Sequence, residues 1–67
     1  MERAYQMIEV VGASADSYED ATRQAIAAAS KAHGHLAWFE VVEQRGRIAG
    51  DVVAEYQVKL RIGARMD

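Results

Sequence analysis

The longest regular alternation in the chain lies near its end. From Val53 to Arg65, Ala54, Tyr56, Val58, Leu60, Ile62 and Ala64 fall on one side of an extended backbone, with Val53, Glu55, Gln57, Lys59, Arg61, Gly63 and Arg65 on the other. A period of two with one apolar and one polar side is that of a half-buried β-strand. Leu36 to Gln44 reads the same way, with Ala37, Phe39 and Val41 on one side and Trp38, Glu40, Val42 and Gln44 on the other. Arg45-Gly46-Arg47 interrupts this run, Ile48-Ala49 continues it, and Gly50-Asp51 supplies a hairpin turn. Arg3 to Val11 is a third strand that stops at Gly12. Its pairs Met7-Ile8 and Val10-Val11 put apolar groups on both faces, as in a strand covered on both sides.

Between the first and second strands the period changes to that of a helix. Gly12-Ala13-Ser14 reads as a turn, and Asp16, Ser17, Glu19 and Asp20 give overlapping N-cap signals with carboxylates at the positive helix end. Tyr18, Ala21, Ala25, Ala28, Ala29 and Ala32 then recur at three- and four-residue spacing, with Ile26 the only large aliphatic anchor. An alanine face lets the helix axis lie close to whatever it packs on. Lys31, His33 and Gly34 suit the negative end, glycine taking the left-handed cap position. The order β-α-β-β predicts an α+β fold over residues 1–67 as one domain, a three-stranded antiparallel sheet with one helix packed on one face. The other face, with Trp38, Gln57 and a row of charges, then meets water or another subunit.

Composition sharpens that last point. The chain has 67 residues, and thirteen of its apolar residues are alanine, so the large apolar side chains number twenty-one and a monomer's core is thin. Chains of this size commonly need disulfides, a structural metal or oligomerisation, and there is no cysteine. Oligomerisation is the expectation. A net charge of -2 gives no electrostatic footprint for nucleic acid. There is neither a membrane-length apolar run nor a signal-peptide core after Met1-Glu2-Arg3, so a soluble, cytoplasmic protein without a membrane partner is expected.

Candidate chemistry is sparse. Ser14, Ser17 and Ser30 have no paired histidine at a recognisable spacing and read as turn, cap and helix-surface residues. His33-Gly34-His35 lacks the further ligands of a metal set, so no metal site is assigned. Glu40, Glu43 and Glu55 alternate beside basic or amide neighbours and read as solvated charges or intersubunit ion pairs, not as acid–base catalysts. Arg45-Gly46-Arg47 places two guanidiniums around a flexible residue, a combination suited to phosphate. Trp38 suits either an interface or ligand stacking.

Taken together, Trp38-Phe39-Glu40-Val41, Arg45-Gly46 and Glu55-Tyr56-Gln57-Val58 resemble the signature segments of the dodecin family, small flavin-binding proteins with the same element order. The resemblance runs from about Tyr5 to Arg65 and includes Gly12-x-Ser14, Leu36-x-Trp38 and Ile62-Gly63-x-Arg65. It implies a hollow homododecamer that binds a flavin, riboflavin or FMN, at two-fold contacts between subunits. Trp38 would stack on the isoalloxazine, Gln57 would hydrogen-bond its polar edge, and Arg45 would meet the ribityl or phosphate part. Arg45 lies on the opposite strand parity from Trp38, and a bulge around Gly46 would re-aim it. Ala13 and Ala64 depart from the family's frequent threonine or serine and phenylalanine, and the neutral Ala27-Ala28-Ala29 gives no ground for a coenzyme A site. Flavin storage with quenching of its excited state is the function implied. A ligand-free structural oligomer and a flavin enzyme are the alternatives.

Overall fold

The computed structural model describes residues 3–66. Four elements follow one another: β1 (Tyr5–Ser14), α1 (Tyr18–His33), β2 (Leu36–Ala49) and β3 (Val52–Arg65). They form one antiparallel sheet in the order β1-β3-β2, with the helix on one face, as the alternation predicts. The central strand is the one with the cleanest alternation, and its even-numbered residues make the core. Val58, Leu60, Ile62 and Ala64 are buried beneath Ala21, Ala25 and Ala29, with Ile8, Val10, Ile26 and Leu36 packed around them.

Two sequence expectations at the start of the chain are corrected. Gly12-Ala13-Ser14 is not a turn. These residues pair with Val58, Gln57 and Tyr56 and carry β1 through to Ser14, so the reversal falls at Ala15–Asp16. Gly12 is required by closeness: a Cβ there would run into the carbonyl oxygen of Ala21 and lie 2.8 Å from the Cβ of Ala25. The predicted helix face also narrows to Ala21, Ala25 and Ala29, while Ala28 and Ala32 are exposed. Among the overlapping caps, Ser17 is the one used, its Oγ accepting the Asp20 backbone N–H at 2.9 Å. The Asp20 carboxylate does not return to Ser17. Its Oδ2 accepts from Ser14 Oγ at 2.7 Å, and Ser14 Oγ in turn accepts the Asp16 N–H at 2.9 Å, tying the end of β1 to the first helical turn.

At the other end Gly34 caps the helix with φ 64°, donating its N–H to the Ser30 carbonyl, and His35 follows with φ 46°. Two successive positive φ values turn the chain sharply into β2. Gly50, with φ 67°, takes the first position of the two-residue β2–β3 turn, where glycine is preferred. β2 runs through Arg45-Gly46-Arg47 without a break, Gly46 pairing with Tyr56, and the expected interruption is reduced to a slip of register just after Arg47, which pairs with Glu55 while Ile48 pairs with Val53. The helix lies over β1 and β3 and barely reaches β2, so the far half of the hairpin projects and gives the molecule a longest extent of 53 Å.

Candidate functional site

Cross-strand partners in a sheet share a face, so the register sorts every side chain to one side. The face away from the helix carries Tyr5, Met7, Glu9, Val11 and Ala13 from β1, opposite Arg65, Gly63, Arg61, Lys59 and Gln57 of β3. On the other flank of β3, Trp38 pairs with Gly63, Glu40 with Arg61, Glu43 with Lys59, Arg45 with Gln57 and Arg47 with Glu55. Trp38, Gln57 and Arg45 therefore stand on one face. For Arg45 this reverses the parity read from the sequence, and Gln44, expected beside Trp38, lies on the helix side opposite Val58. The cause is a bulge. Val41 pairs with Leu60 and Glu43 with Lys59, leaving Val42 as an extra residue that flips the parity of everything after it. The re-aiming bulge expected near Gly46 sits four residues earlier.

Trp38 is held in a defined seat. A Cβ built on Gly63 would fall 2.5 Å from both Cη2 and Cζ2 of the indole and 2.6 Å from Cε2. Three nearly equal distances to consecutive ring atoms place that point over the face of the ring, not beside its rim. One face of the indole is thus closed by the Gly63 backbone. The ring of Tyr5 meets Trp38 edge-on, with centroids 4.7 Å apart and planes at 67°. Trp38 as a whole remains 44 % exposed, which leaves room for a flat partner against the indole. Sequence reasoning missed the role of Gly63, although a glycine on the polar side of an otherwise unbroken strand marks a close approach.

The second half of the face is polar and extended. Gln57 is flanked by the small Ala13 on β1 and by Arg45 on β2, and its Nε2 donates to Glu55 Oε1 at 2.8 Å. Between the two ends, Lys59 pairs with Glu9 and Arg61 with Glu40, each at 3.8 Å and substantially exposed. Gly63 lies six residue steps along β3 from Gln57, about 20 Å at the usual rise of a strand. That span exceeds a three-ring isoalloxazine.

The helix side has an opening of its own. At the β2 edge, Ile26, Leu36, Ala37, Trp38, Phe39 and Ile62 line a hollow of about 140 Å³. Its lining is mainly apolar, and the indole is the one polar side chain among these residues. Among the described residues no group of three or more His, Cys, Asp or Glu side chains is placed to hold a metal, and no helix is long and apolar enough to cross a membrane.

The chain is thus an α+β domain with the helix on one face of its sheet and the other face, bearing Trp38, left open. The Dodecin family model matches residues 4–67, and the chain belongs to that family. It is 45 % identical over 67 residues to the dodecin of Thermus thermophilus, covering 100 % of this chain and 97 % of that one. Among solved structures, the dodecin from Streptomyces davaonensis superposes with a TM-score of 0.96 at 36 % identity, covering 100 % of this chain and 98 % of the other. The dodecin from Streptomyces coelicolor gives 0.93 at 42 % identity, with 97 % and 93 % covered.

Proposed function

We propose that this protein binds flavin and keeps it unreactive, storing it in pairs between tryptophans at the subunit contacts of a hollow homododecamer. The observation that carries the reading is the seat of Trp38. With Gly63 closing one face of the indole, each tryptophan can stack on one flat ring only. At a two-fold contact, two such indoles with their open faces turned toward each other cap a stack at both ends, leaving room for two isoalloxazines. Each aromatic contact adds roughly 0.5 to 1.5 kcal/mol beyond area burial.

Gln57 stands on the same open face as Trp38 but about 20 Å away along β3, so a ring stacked on one copy's Trp38 meets the Gln57 of another copy in the assembly. The amide then meets the polar edge of the stacked ring, and Arg45, opposite Gln57, lies on the side from which a ribityl or phosphate tail is reached. A ring stacked on both faces leaves no space for a substrate. Binding and quenching by the electron-rich indole, not catalysis, follow from that geometry.

The test is reconstitution. Protein stripped of ligand and titrated with riboflavin or FMN should extinguish flavin fluorescence and saturate at one flavin per chain. A reductant should not be turned over. Full flavin fluorescence at saturating protein would remove the reading and leave a ligand-free structural assembly. Steady oxidation of a reductant would indicate an enzyme instead.

A further inference from the structure

The amide of Gln57 has two unlike ends, a carbonyl that only accepts and an amino group that only donates, and the end turned to a ligand decides what is read. Its neighbour two residues back on β3, on the same face, settles the matter. Gln57 Nε2 donates to Glu55 Oε1 at 2.8 Å. Turned over, the amide would set its carbonyl oxygen against a carboxylate oxygen, acceptor against acceptor. Arg47, directly across from Glu55 in the register, approaches the same carboxylate oxygen with its Nε at 3.8 Å and steadies it from the other side.

Resting on the flavin reading above, we propose that Glu55 is a positioning residue: it locks the Gln57 amide with its carbonyl free, so that the site selects a ring edge presenting an N–H donor. The imide edge of a flavin carries such a donor between two carbonyls. Gln57 has its carbonyl and one amino hydrogen left after serving Glu55, and these match the imide N–H and one adjacent carbonyl as a two-point contact. Alkylating the imide nitrogen removes the donor and leaves the amide carbonyl facing a methyl group with nothing to accept. A freely turning amide would recover part of the loss by offering its amino end to the ring carbonyls. Glu55 forbids that turn, so its contribution is to discrimination between ligands more than to affinity for either.

The experiment compares riboflavin with 3-methylriboflavin, followed by quenching of ligand fluorescence. The parent should prefer riboflavin by about tenfold or more, as expected for a lost buried hydrogen bond. Glu55→Met keeps the length of the side chain but removes the acceptor, and should shrink the preference to about threefold or less. The shrinkage should come from tighter binding of the methylated ligand than in the parent. General loosening of the site cannot produce a gain for one ligand, so this readout separates positioning from a merely structural role. An unchanged preference in Glu55→Met, or an equal loss for both ligands, overturns the assignment. So does a parent that binds riboflavin without preferring it, a result that needs no folded variant. A parent that binds neither ligand overturns the flavin reading itself and this inference with it.

Discussion

At Gly63 the absence of a side chain decides where an aromatic ring rests. A methyl group there would occupy the space now filled by the indole of Trp38. Gly63→Ala should therefore displace the ring while leaving the central strand paired, and flavin affinity should fall about tenfold or more with an unchanged far-ultraviolet circular dichroism spectrum. Binding equal to the parent's would show that the seat does not matter. Trp38→Ala should lower affinity by about tenfold or more and let the remaining bound flavin fluoresce, because stack and quencher are lost together. Gln57→Ala should also weaken binding, by the equivalent of about 1 to 3 kcal/mol for a buried group left unpaired, but the bound fraction should stay dark. Arg45→Ala should weaken FMN more than riboflavin, since a guanidinium reads phosphate; equal losses in calorimetric titrations would place Arg45 away from the tail. That Trp38 and Gln57 share a face was legible from alternation alone. Arg45 was not, because the bulge at Val42 depends on the pairing of β2 with β3, and two adjacent valines give no sign of which one drops out of register.

At the scale of elements, the contact between α1 and β1 is set by what is missing from both. Gly12 and the alanines at 21 and 25 bring the helix against the strand, and the first helical turn is fixed by Ser17 and by the bond from Ser14 to Asp20. Removing the cap by Ser17→Ala should cost about 1 kcal/mol, read as a lower urea midpoint with the m-value unchanged. No shift in midpoint would mean that the Ser14–Asp20 link suffices. Element order, the limits of α1 and the hairpin turn all followed from periodicity and punctuation. The misreading at Gly12 has a physical origin, since glycine between an apolar run and a cap signals either a turn or a close approach. The small residues at 21 and 25 were the clue to the second.

For the whole molecule, the surface left uncovered is the dominant fact. Tyr5, Met7, Val11, Trp38, Phe39, Val41, Val42, Ile48, Val52 and Val53 are all exposed, spread over the open face, the β2 edge and the projecting hairpin. Monomers rarely expose so much apolar surface. Sedimentation should accordingly find a species near twelve times 7.4 kDa, and a folded monomer at micromolar concentration would contradict both the assembly and the shared site. The sheet order β1-β3-β2 has one more consequence, for synthesis. The edge strands never touch each other as partners, so every ladder bond in the sheet runs to the strand made last. A chain emerging from a ribosome with β1, α1 and β2 complete has a helix and two lone strands but no sheet to lay them on. Formation of the sheet thus waits for β3, the strand to which both others pair.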